Sequence, residues 1–206
     1  MRIDVFSDNV CPWCFIGKRH LEATLTSVNL SDVDIHWHAF QLNPDLPPHG
    51  RARGEYLQEK FGTSDNIERL HKRVEQAGRA AGIDFQFWKI SRSPNTFNSH
   101  RLMHLAQTQQ RAEAMVETLF RGYFLDGLDI GDDDTLAQLA QTAGVNGEIN
   151  AWLNGPGGRI ETLNDLRAGR EMGISGVPFF IFDNRYALSG AQPVETFLQA
   201  IKAAQS

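Results

Sequence analysis

The chain has 206 residues, 41% hydrophobic and 22% charged, an ordinary globular composition long enough to bury a substantial core. Its formal net charge of −5, with no basic block, argues against nucleic acid and anionic membranes as partners. No stretch approaches the apolar length of a membrane span, and Met1-Arg2 runs straight into a strand with no room for the apolar region of a signal peptide, so a cytoplasmic protein is expected.

Ile3 to Phe6 reads as a short buried strand and Ser7-Asp8-Asn9 as the loop after it. Cys11-Pro12-Trp13-Cys14 then opens an amphipathic helix with Phe15, Leu21 and Leu25 on its apolar side. Val33 to Ala39 alternates apolar and polar, the period of a half-buried strand, with His36 and His38 on its polar face, solvated or covered by a helix. Pro44, Pro47, Pro48 and Gly50 mark the exit from the sheet.

From Arg53 to about Met172 helical signals dominate. Ile67, Leu70, Val74, Ala77 and Ala81 repeat at helical spacing after a Ser64 cap and before Gly82. Helices are also expected from Thr96 to about Gln109, around Met115 to Phe124, and after Asp132-Asp133-Asp134, whose charges suit a helix N-terminus. A short one follows at Asn146 to Asn154, and Ile160, Leu163 and Leu166 belong to a helix returning to the sheet. Val177 to Phe182 is a compact apolar run read as a central strand buried on both faces. Asp183-Asn184 turns it into a partner strand, Arg185 to Leu188, before a closing helix from Pro193 to Ala204. The class is α/β: a βαβ half, a helical insertion and a ββα half sharing one mixed sheet.

The only two cysteines stand three apart at a helix start. That spacing puts both sulfurs on one face, within bonding reach, and the positive helix end favours a thiolate at the first of them. Cys11 is therefore the expected nucleophile and Cys14 the resolving thiol. Pro12 suits the first helical position, and Trp13 is expected as an exposed ring that shields the site or packs on a bound peptide. A disulfide closing so short a loop is a poor structural staple, and zinc lacks a second ligand pair, so no metal is expected.

Pro178 at a strand start cannot donate to the ladder and needs a special reason to be there. A plain trans proline at a strand edge is one reading. A cis Val177–Pro178 bond is the other, and it would turn the Val177 backbone toward the cysteines to pair with an extended substrate peptide.

Cys11-Pro12-Trp13-Cys14 and Gly176-Val177-Pro178-Phe179-Phe180 together resemble the thioredoxin fold of the DsbA oxidoreductase family. Ser7-Asp8, Phe40-Gln41-Leu42-Asn43-Pro44, Asn98-Ser99-His100-Arg101 and Leu188-Ser189-Gly190-Ala191-Gln192-Pro193 are similar to its FrnE-like cytoplasmic branch. The resemblance implies a thioredoxin-like domain from residues 1–50 and 173–206, with an inserted helical domain at 51–172. It also implies Cys11 as attacking thiol, Cys14 as its partner, Pro178 as a cis proline, and Pro12, Trp13, Gly176 and Val177 at the substrate. Members with a further cysteine pair exist, and this chain lacks one.

The leading expectation is thiol–disulfide exchange on protein or peptide substrates, with no cofactor beyond the redox-active cysteines and glutathione as a candidate co-substrate. The runner-up resembles kappa-class glutathione transferases and 2-hydroxychromene-2-carboxylate isomerases, which usually carry serine in place of Cys11. A third class is a non-catalytic binding module. Phe85, Phe87, Trp88 and Met103 are candidates to line an apolar groove facing Cys11, with core packing as their alternative.

Overall fold

The computed structural model describes residues 1–30 and 32–205. Strand β1 (Arg2–Ser7) is buried on both faces because it lies inside the sheet. It pairs parallel with β2 (Asp34–Ala39) and antiparallel with β5 (Phe179–Phe182), and β5 turns back into β6 (Tyr186–Ser189), giving the order β2-β1-β5-β6. Asp183 and Asn184 sit at φ +48° and +54°, the left-handed pair that a two-residue hairpin turn requires. β5 is not buried on both faces as its apolar run suggests. Phe180 and Phe182 point into the core, against the edge of Phe197, while Phe179 and Ile181 are half-buried.

Helix α1 (Pro12–Ser27) leaves β1 after a four-residue link, Asp8 to Cys11, and packs beside the closing helix, α9 (Val194–Gln205). The insertion begins with two short strands absent from the sequence reading, β3 (Arg51–Ala52) and β4 (Arg92–Ser93), paired antiparallel. Between them lie α2 (Arg53–Phe61), whose weak apolar pattern buries no residue fully, and α3 (Ser64–Ala80). Thr63, not Ser64, caps α3 by accepting from the Asn66 N–H.

Next come α4 (Phe97–Thr108), α5 (Ala112–Arg121) with a π turn at Gly122–Asp126, α6 (Asp133–Thr142), α7 (Ile149–Asn154) and α8 (Arg159–Glu171). Asp132 caps α6 through the Thr135 N–H at 2.8 Å. Phe15 of α1 stacks on Phe120 of α5 at 5.0 Å, and Phe85, Phe87 and Phe124 extend that aromatic cluster. Lys18 is buried where α1 meets α5, with carboxylate oxygens of Glu117 and Glu113 at 3.2 and 3.7 Å and Glu22 beside them.

α8 returns to the sheet beside β2, but of its expected apolar residues Ile160 and Leu163 are exposed and Leu166 is half-buried. It seats through Gly169, where an added Cβ would meet the Phe6 ring at 3.4 Å, and through Asp165, which accepts from the Ala39 N–H at 2.9 Å. His38 lies between two carboxylates, its Nδ1 2.8 Å from Asp165 and its Nε2 2.7 Å from Asp4. Burial disfavours its charge, but the hydrogen bonds and fields of those two acids outweigh it and hold the imidazolium above its usual range. His36 meets Asp34 nearer the surface. Among the described residues no helix is long and apolar enough to cross a membrane.

Candidate active site

Cys11 is the N-cap of α1, in extended conformation at φ −91° and ψ 112°. The Asp8 carbonyl accepts its N–H at 2.9 Å, and its own carbonyl accepts the Cys14 N–H at 3.0 Å, so the turn locks both cysteines to the helix start. Pro12 takes the first helical position, where a missing N–H costs nothing. The Cys11 thiol does not cap the helix. It points to the Val177 carbonyl, with Sγ 3.6 Å from that oxygen.

The Val177–Pro178 peptide bond is cis. Pro178 is buried at the head of β5, and its carbonyl accepts the Gly190 N–H at 2.8 Å. Gly17 permits its close approach: a Cβ there would stand 2.9 Å from the Pro178 Cγ and 3.1 Å from the Phe180 ring. Gly176 and Val177 are half-buried beside it.

Both cysteines are unpaired thiols and both are buried. Burial pushes the Cys14 thiol well above the ordinary range, and the neighbouring Cys11 adds to the shift. The Asp8 backbone and the adjacent Ser7 hydroxyl pull the other way, although that hydroxyl meets no partner at hydrogen-bonding geometry. The two sulfurs thus sit in different settings, Cys11 at the cavity wall and Cys14 behind it.

The loop carrying the cysteines is fixed by residues that element-by-element reading passed over. Asp8 is buried, with Oδ2 accepting the Leu42 N–H at 2.8 Å and Oδ1 3.3 Å from His100 Nε2. Asn9 donates to Ser99 Oγ at 2.9 Å. The Ser7-Asp8, Phe40-to-Pro44 and Asn98-to-Arg101 fragments, distant in sequence, meet at this loop. Arg101 goes further: buried, it donates to the carbonyls of Trp152, Leu153, Gly155 and Gly157, gathering the α7–α8 connection.

A cavity of about 330 Å³ opens beside Cys11, between the start of α1 and the α2–α3 pair. Trp13 is a half-buried wall of it, not an exposed ring, because Arg73 of α3 lies over its face at 5.8 Å. Of the four expected lining residues only Phe87 is present. Phe85 and Met103 are core residues, and Trp88, 80% exposed, lies on the outer surface. The sequence reading missed Arg53, Tyr56, Lys60 and Ser93, which sit on elements whose apolar signals are weak. Gly176, Val177 and Pro178 are not among the walls. Among the described residues no group of three or more His, Cys, Asp or Glu is placed to hold a metal ion.

Comparison with known proteins agrees with this geometry. A family model described as a DSBA-like thioredoxin domain matches residues 2–202. The crystal structure of a probable DsbA oxidoreductase, SCO1869, from Streptomyces coelicolor superposes with a TM-score of 0.91 at 33% identity, covering 100% of this chain and 90% of that one. Two more distant structures share the fold. The cytosolic disulfide reductase DsbM from Pseudomonas aeruginosa with GSH gives a TM-score of 0.67 at 16% identity, covering 100% and 96% of the two chains. A 2-hydroxychromene-2-carboxylate isomerase gives 0.70 at 14% identity, covering 98% and 95%.

Proposed function

Because the chain belongs to the DSBA-like thioredoxin-domain family, we propose that it is a thiol–disulfide oxidoreductase or isomerase, with Cys11 as nucleophile and Cys14 as resolving thiol. The observation that carries this reading is the Cys11 thiol at a helix start, aimed at the carbonyl that precedes a cis proline 167 positions later (178 − 11). In the reductive direction the Cys11 thiolate attacks one sulfur of a substrate disulfide. That S–S bond breaks, one substrate thiolate leaves and takes a proton from water, and a mixed disulfide remains. Cys14 then gives up its proton and attacks the Cys11 sulfur, releasing the second substrate thiolate. Two electrons have passed from the cysteine pair to the substrate. The reverse sequence oxidises a dithiol, and the direction follows from the reduction potential of the pair.

In this reading Pro12 and Trp13 shape the entrance, while Gly176, Val177 and Pro178 offer backbone to the substrate. The Val177 carbonyl facing Cys11 supports that role. The reading includes a reducing cytoplasmic setting, as in the FrnE-like branch, with protein or peptide thiols as partners and glutathione as candidate co-substrate. The test is a Cys14→Ser variant incubated with a disulfide substrate. Mass spectrometry should find a persistent mixed disulfide on Cys11, and Cys11→Ser should find none. Equal turnover by all three forms would defeat the assignment. Equilibration of the wild type with glutathione buffers would then give the direction of exchange.

A second reading is favoured by one observation, the small-molecule-sized cavity beside Cys11: a glutathione-dependent transferase or isomerase in which the glutathione thiol is activated and not exchanged. That chemistry needs no Cys14, so a glutathione-dependent isomerisation unaffected by Cys14→Ser would select it.

A further inference from the structure

The cavity beside Cys11 has an unusual charge census for a chain of net charge −5: it is lined by Arg53 and Lys60 and by no aspartate or glutamate. Among the described residues neither cation is neutralised by an acid. The Arg53 guanidinium donates to Tyr123 Oη at 2.9 Å, and its buried Nε has no acceptor. Lys60 Nζ meets neutral oxygens, Tyr56 Oη at 2.8 Å and the Asn43 side-chain carbonyl. Asp8 and Asp129 act on Tyr123 from outside the lining, but the first is engaged by His100 and the Leu42 N–H and the second by Arg92. A third wall group is Ser93, 4% exposed, whose hydroxyl also lacks a partner. Buried donors left unpaired are costly, and a ligand oxygen is what would satisfy them.

Asn43, His71 and the hydroxyls of Tyr56 and Tyr123 add neutral polar groups, the rest of the wall is apolar and aromatic, and the volume falls at the low end of small-molecule sites, too small for a folded polypeptide segment. We infer that this cavity receives a small amphipathic organic acid, its apolar body against Trp13 and Phe87 and its carboxylate answered by Arg53, Lys60 and Ser93. Under the exchange reading, on which the sulfur chemistry rests, the preferred substrate is then a low-molecular-mass disulfide carrying an apolar group and a carboxylate.

Binding can be tested without that chemistry, because naphthalene-2-carboxylate does not react with thiols. Calorimetry on the intact reduced protein at low ionic strength should find it bound at least about tenfold more tightly than the neutral, similarly shaped naphthalene-2-carboxamide, the preference one charge-assisted contact supplies. Its occupancy should slow alkylation of Cys11 by iodoacetamide. Lys60→Met, at an exposed helix position that does not threaten folding, should cut the acid-over-amide ratio about threefold, Arg53→Met by about threefold or more, and the two together should bring it near unity. An amide bound as tightly as the acid, a preference that survives both substitutions together, or no Cys11 protection at saturation would overturn the inference. Failure of the mixed-disulfide assay with retained acid binding would instead sink the exchange reading and leave this one standing.

Discussion

Gly17 and Pro178 are in contact across the two halves of the sheet unit, with no room for a methyl group between them: a Cβ at Gly17 would lie 2.9 Å from the proline Cγ. α1, which carries the cysteines, therefore rests on the residue that sets the Val177 carbonyl opposite Cys11. The two parts of the candidate site are held at their spacing by an absent side chain.

Gly17→Ala decides between two effects of opposite sign. Alanine inside a helix normally stabilises by about 0.5–1 kcal/mol, whereas overpacking a tight contact costs about 1–3 kcal/mol. Here the obstacle is a rigid proline ring beside a buried phenylalanine, so overpacking should win. A melting temperature about 2–6 °C lower is expected, together with slower mixed-disulfide formation. An unchanged or raised melting temperature would show that the ring yields.

Reduced protein should lose stability in alkali through Cys14. A thiol whose pKa is raised by folding keeps its proton in the native state after the unfolded chain has lost it, so stability falls as pH rises above about 8.5, by up to about 1.4 kcal/mol per unit. Tyr123, pushed up to about 12 by burial, adds a fall of the same sign above about 10. Urea unfolding of reduced wild type and Cys14→Ser between pH 7.5 and about 10 checks this, and parallel curves from the two would refute the Cys14 contribution.

The His38 network predicts a second pH dependence. His38 is held above its usual range, so its contribution is complete below about pH 6.5 and fades as pH rises through the higher folded value. Asp4 and Asp165 are held below the usual carboxylate range, net of burial that opposes them, so theirs is complete above about pH 4 and fades in acid. All three act together between those limits. His38→Asn should cost about 1–3 kcal/mol at pH 5.5 and less at pH 8.5, and an equal loss at both would argue for packing alone.

Arg101→Lys keeps the charge and removes the fork. Four carbonyls, two at the end of α7 and two in the α7–α8 connection, then share one ammonium, and at roughly 1–3 kcal/mol for each buried acceptor left unmet the variant should lose about 3 kcal/mol or more. Hydrogen exchange should localise the loosening to residues 149–159. A variant as stable as wild type would mean that water replaces the guanidinium there.

Much of the fold was legible because local signals agreed with one another. Alternation marked β2, the acidic Asp132 marked the start of α6, and Asp183-Asn184 marked the hairpin turn. α2 was not legible, since it forms without a buried stripe of its own and packs against α3 and the β3–β4 pair. The exposure of Ile160 and Leu163 on α8 was not legible for a related reason: that helix is seated in part by a glycine and a carboxylate, which carry no hydrophobic period.

By itself the sequence determined the order of elements, the pairing of two thiols at a helix start and a proline at the head of a late strand, all consequences of interactions within a few residues. Only the tertiary structure decided that the thiol of Cys11 faces the Val177 carbonyl, that Asp8 is engaged by His100 and the Leu42 N–H, and that Arg53 and Lys60 line the same cavity as the sulfur. Those relationships join residues far apart in the chain, and no local pattern encodes them, because distance in space is set by how the sheet and the insertion pack.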